Sequence, residues 1–241
     1  MPSTPLYLSL GFLALTLSVA IGLFWIFQKA WQNHRTIVAV VFGAMFIVFF
    51  LQCFAATQGF WLQRVRGDLP FTGVAPVVGP VFALGWIVFF LFRKGPEYQS
   101  LSITWLIGFQ GFRLLIETFL FHGLYSAKLI PLEMTILGRN PDLLIGLSAP
   151  IVAFLWHKKK LGPMVTALWN LLGLITLINI VATAILSLPT SFQVFGHDQP
   201  NIGALMFPFV LLPAFLVPAA FFGHIYALDL LWNRNRSGKV D

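Results

Sequence analysis

Seven stretches of this chain run for about twenty residues with almost no charge, and that pattern leaves few folds open. A helix needs about 20 apolar residues to cross a ~30 Å hydrocarbon core. The stretches cover 6–28, 36–60, 73–92, 101–125, 141–157, 164–188 and 202–232. The expected fold is therefore all-α: one transmembrane helical domain over 1–241, a polytopic bundle of about seven helices. The fifth stretch is the shortest; Pro141 suits its helix N-terminus, and Pro150 predicts a kink. The first lacks a preceding positive segment and is longer than a signal-peptide core, so it reads as a retained span.

Composition removes the main alternative. Only 10% of the 241 residues are charged, against roughly 25% in soluble domains, which is too few to cover a water-facing surface. The net charge of +7 fits loops facing anionic lipid headgroups better than nucleic acid, because no basic stretch is interleaved with aromatics in a soluble segment. The partners expected are thus the lipid bilayer and a small-molecule or lipid-like ligand, with no nucleic acid. The single Cys53 cannot form an intrachain disulfide.

Orientation follows from the basic residues in the loops. Lys29, Arg35, Arg93, Lys94, Lys158, Lys159, Lys160, Arg234, Arg236 and Lys239 fall on one side. Arg64, Arg66, Lys128 and Arg139 fall on the other. Ten against four puts the C-terminus in the cytoplasm and the N-terminus outside. The connections are too short for a soluble domain, and no internal repeat supports an inverted-repeat transporter.

Ionisable groups inside a span cost ~2.5–3.5 kcal/mol on insertion scales and mark interiors or wet cavities. The fourth span carries Gln110, Arg113 and Glu117 on one helical stripe, with Arg113 and Glu117 spaced i,i+4. Two readings fit: an ion pair that joins helices, or an anion- or proton-handling site with Arg113 holding the anion and Glu117 titrating. Thr176, Asn179, Thr183 and Ser187 form a second polar stripe, either helix–helix glue or the opposite wall of a cavity. Pro208, Pro213 and Pro218 make the last span irregular, as backbone lining a cavity can be. Ligand binding is accordingly assigned to Gln110, Arg113, Glu117, Thr176, Asn179 and Thr183.

The outer loops supply a second polar group: His122, Glu133, Arg139, Asp142, His197 and Asp198. Asn140-Pro141 reads as a turn, with Asp142 favouring the positive end of the fifth helix. His122, His197 and Asp198 are the candidates for a metal, although no HExxH or CxxC spacing accompanies them. His34, His157 and His224 are a similar set on the cytoplasmic side. No cofactor is expected. Retinal held through a Schiff base is excluded, because 202–232 contains no lysine.

The stretch RLLIETFLFHGLYSAKLIPLEMTILGRNPDLLIGLSAP (Arg113–Pro150) resembles a family of uncharacterised bacterial seven-span membrane proteins. LWNLLGL, LSLPTSFQVFGHDQPN and FPFVLLPAFLVPAAFFGH carry the same resemblance, over about the last 130 residues. It implies a bacterial inner-membrane location and brings no known activity. From the residues alone, a binding, transport or sensor protein with an outward-facing polar cavity around Arg113 and Glu117 comes first. A membrane-embedded hydrolase acting on a lipid-like substrate, with Glu117 or His122 as base, comes second, and a structural subunit third.

Overall fold

The computed structural model describes residues 4–66 and 71–236; Lys239 and residues 67–70 lie outside them. Helix α1 (Leu6–Ala30) turns through Trp31 into α2 (Arg35–Thr57). Gly59, at φ 68°, then takes the left-handed conformation that only glycine adopts freely, and closes α2 ahead of a short α3 (Phe60–Val65). That short helix occupies part of what the sequence suggests as loop. Helix α4 (Phe71–Phe92) ends at Gly95-Pro96, where α5 (Pro96–Gln99) makes a single turn. Helix α6 (Ile103–Ser126) starts where the Ser102 side chain accepts from the Trp105 N–H, and it is π-helical over Ile116–Phe121.

Helix α7 (Asp142–His157) and helix α8 (Pro163–Leu186, with proline in its first turn) follow. Helix α9 opens as a π-helical turn over Leu212–Leu216 and continues as α-helix Val217–Arg236. Pro218 cannot donate to the turn before it, so the ladder there must reorganise, and the wider turn is the result. Among the described residues, six helices (α1, α2, α4, α6, α8 and α9) are long and apolar enough to cross a membrane, and α7 is a shorter apolar helix.

Helix α9 is the axis of the bundle, with two thirds of its apolar window buried. Around it the neighbours run α6, α7, α8 on one side and α1, α2, α4 on the other, with α1 against α6 closing one junction. The opposite junction, between α4 and α8, makes at most isolated contacts and is an open seam.

Two non-helical segments enter the bundle instead of lying over it. The stretch after α6 buries Leu129, Ile130 and Met134 in the main apolar core. The stretch before α9 does the same with Met206 and Phe209. Their backbones are paired with each other and with α8, as depth in a membrane requires. Ile202 and Gly203 donate to the Leu129 carbonyl, and the Asn201 N–H donates to Ser187 O at 2.7 Å. The Gln199 side chain donates to the carbonyls of Tyr125 and Ile130, at 2.9 and 2.6 Å. The last long helix therefore begins at Leu212, ten residues later than the apolar run from 202 suggests, because residues 202–211 make short turn bonds among themselves and bonds to Leu129 and Asn201 in place of a continuous helical ladder.

Candidate functional site

The polar centre starts from the contact of α6 with α7. These helices run antiparallel and very close: a Cβ on Gly146 would lie 2.4 Å from the Leu114 backbone nitrogen, so only glycine fits. This contact sets Arg113, next to Leu114, against Asp142, one turn before Gly146. Both residues are almost fully buried, at 3% exposure each. Arg113 Nε donates to Asp142 Oδ2 at 3.0 Å, and Nη2 donates to Oδ1, the two-pronged geometry that makes such pairs strong.

The other Arg113 donors go to α8 and α9. Nη2 donates to Thr176 Oγ1 at 3.2 Å, and both terminal nitrogens reach the Gly173 carbonyl at 3.3–3.4 Å. Nη1 lies 3.0 Å from His224 Nε2. A guanidinium only donates, so His224 Nε2 must accept and Nδ1 must carry the proton. That Nδ1–H donates to Asn170 Oδ1 at 2.9 Å, and Asn170 Nδ2 donates to the Thr166 carbonyl at 2.9 Å. Gly173 makes room for the imidazole, since a Cβ there would lie 2.3 Å from His224 Cε1. One arginine thus ties four helices together.

Glu117 lies one helical turn beyond Arg113 but does not pair with it. No Arg113–Glu117 ion pair forms within 4 Å among the described residues, which corrects the pairing that the i,i+4 spacing suggests. Glu117 accepts instead from the Asn140 amide, which also donates to Met134 O at 3.0 Å. Asn140 Oδ1 in turn accepts from the Asp142 N–H at 3.1 Å, tethering the start of α7. Asp142, grouped with the loop residues by sequence, is the buried partner of Arg113.

Next to this centre lies a cavity of about 420 Å³ along the α4–α8 seam. Its walls are apolar, with Val77 and Phe82 from α4, Val181 and Ile185 from α8, and Leu216 from α9 among them. Arg113, Glu117 and Asp142 face it from the inner side, and Asn201 from one end. Both π-helical segments border it, through Ile116, Glu117 and Phe121 on α6 and Leu212, Pro213 and Leu216 on α9. Ile178 and Ile185, at its rim, are exposed.

The other residues singled out from sequence are scattered. Gln110 is fully buried, donates to Ala220 O at 3.0 Å and stands off the cavity wall. Thr176 belongs to the arginine cluster, Asn179 donates to Arg139 O at 2.7 Å, and Thr183 bonds back to Asn179 O at 2.9 Å. None of these three lines the cavity, and their hydrogen bonds tie α8 to its neighbours and to itself. Arg139 lies over the Phe195 ring, Glu133 is half-buried, and His122, His197 and Asp198 are exposed. No group of three His, Cys, Asp or Glu side chains able to hold a metal occurs among the described residues. The sequence reading missed His224, Asn140 and Gly173 as members of the centre, although a histidine inside an apolar span is a signal of the kind that flagged Arg113.

Six helices long and apolar enough to cross a membrane, around a buried charged centre, define a multi-pass helical membrane protein. Residues 70–232, about two thirds of the chain, match the family described as a domain of unknown function (DUF8737), and the chain belongs to that family. No curated protein and no solved structure matches it.

Proposed function

We propose that this protein binds an amphiphilic small molecule or lipid within the membrane, in the cavity between α4 and α8. The observation that carries the reading is the cavity itself: about 420 Å³, within the ~300–1,000 Å³ range of small-molecule sites, apolar on its long walls and carboxyl-bearing on its inner side. An apolar chain gains ~25 cal/mol per Å² buried there, and the exposed Ile178 and Ile185 rim favours entry from the hydrocarbon rather than from water. This departs from an outward-facing polar cavity in which Arg113 grips an anion. Arg113 already has a protein acceptor for each nitrogen and is a structural node.

The cellular setting we infer is a bacterial inner membrane, crossed seven times with α7 as the short fifth span and the C-terminus inside. The ten-to-four loop charge bias supports that orientation. The bundle gathers Arg93 and Arg234 at one end, through their bonds to Asp229 and to the Gln99 carbonyl, and Arg139 at the other.

The test is mass spectrometry of molecules that co-purify with the gently solubilised protein, compared with a cavity-filling Val181→Phe variant. Bound amphiphile near one per chain in the parent, lost in folded Val181→Phe, is the expected result. Equal retention in both would sink the assignment of the cavity.

A further inference from the structure

Donors and acceptors around the cavity can be matched one by one, and one carboxyl group, Glu117, is left without a charged partner among the described residues. Arg113 is committed to Asp142, Gly173, Thr176 and His224, and Asp142 has both carboxylate oxygens on Arg113. His224 uses one ring nitrogen for Arg113 and the other for Asn170. Glu117, 2% exposed and on the cavity wall, has only the neutral Asn140 amide, with no cation within 4 Å among the described residues. A buried carboxyl group must be neutralised by a proton or matched by a cation, since an unmatched buried charge costs several kcal/mol.

The cavity decides which cation can approach. A bare metal ion needs about six oxygen ligands to replace its water, and the apolar walls beside Glu117 cannot supply them. An ammonium at the end of an apolar chain needs only the carboxylate and a few acceptors, while its chain is solvated by the same walls. An anionic head would meet Glu117 and Asp142 with every Arg113 donor already occupied.

We propose that the occupant is a cationic amphiphile, a long-chain amine or amine-headed lipid, lying along the α4–α8 seam with its ammonium group on Glu117. This rests on the ligand-binding reading above and adds the identity of the head group. A phosphate-bearing or fatty-acid ligand is the opposite choice, and the geometry disfavours it.

The experiment compares three probes with one chain length on the full protein in non-ionic detergent at neutral pH: dodecylamine, dodecanol and dodecanoate, with binding read by native mass spectrometry. The amine should bind about tenfold tighter than the alcohol, the equivalent of ~1.4 kcal/mol, and dodecanoate weakest. Glu117→Gln keeps an acceptor for Asn140 and should bring the amine down to the alcohol, while Glu117→Asp should keep the preference. If the three probes bind alike in the parent protein, or the amine is unaffected by Glu117→Gln, the head-group assignment is wrong while the cavity reading stands. If binding of all three is indifferent to Val181→Phe, the cavity reading fails and this proposal with it.

Discussion

Helices α2 and α9 are both long and apolar, yet the bundle treats them in opposite ways. In its apolar window α2 has only 11% of residues buried, while α9 has 67%. Helix α2 presents Phe46, Ile47, Phe50 and Phe54 outward, with more than half of each side chain exposed. Helix α9 buries Phe215, Ala220, His224, Ala227 and Leu230 completely or nearly so. In water the first pattern would be untenable; in lipid it costs nothing, because hydrocarbon is as good a solvent for Phe as another side chain is. Apolarity therefore puts both helices in the membrane, and specific packing and polar bonds decide which one becomes the axis. The family match, which begins at α4 and takes in α6 to α9, covers the part that holds the charged centre.

The sharpest way to break this contrast is to remove the centre's cation. Arg113→Leu leaves Asp142 buried without a partner and should cost about 3–5 kcal/mol, seen as loss of folded protein or a large drop in thermal midpoint in detergent. The double variant Arg113→Leu/Asp142→Leu removes both charges and should recover part of that loss. If it is no better than the single variant, the stranded charge is not the cause.

A smaller effect is expected at the α8–α9 contact. Gly173→Ala puts a methyl group 2.3 Å from His224 Cε1 and must push the imidazole off Arg113, costing about 1–3 kcal/mol. The same substitution at Gly43 on α2, where nothing lies within 4 Å of a new Cβ, is the matched control and should be neutral or slightly stabilising. Equal losses at both positions would undo the distinction between the helices. At the far end of the scale, Phe46→Leu on the lipid face of α2 should move stability by no more than about 0.5 kcal/mol, measured the same way.

The long spans were readable from sequence because a bilayer admits few alternatives. A run of apolar residues in which every backbone group must be bonded becomes a helix almost wherever its length allows. The reading went astray at 202–211, an apolar run broken up by Pro208, where short turns and bonds to Asn201 and Leu129 satisfy the backbone in place of a regular helix. Part of the centre was also legible. Arg113 and Glu117 stood out because charge in a span is expensive, and both are buried.

Their partners were not legible. The i,i+4 rule offers Arg113 the nearest carboxylate on its own helix, whereas the structure supplies one 29 residues away, brought to the same depth by Gly146. Asp142 read as an outer helix-end residue because nothing local indicates that the segment before α7 folds inward. His224 and Asn170 likewise lie on different helices, and their bond exists only once α8 and α9 are pressed together at Gly173.

The sequence by itself determined the environment of this protein, the approximate lengths of most of its helices and the presence of costly charges inside it. Those follow from solvent transfer, which each residue reports almost independently. Only the tertiary structure decided that Arg113 is consumed by Asp142, His224 and Thr176, that Glu117 is left facing a cavity, and that the cavity lies between α4 and α8. Those depend on which surfaces approach within hydrogen-bonding distance, a property of pairs of helices that no single stretch of chain encodes.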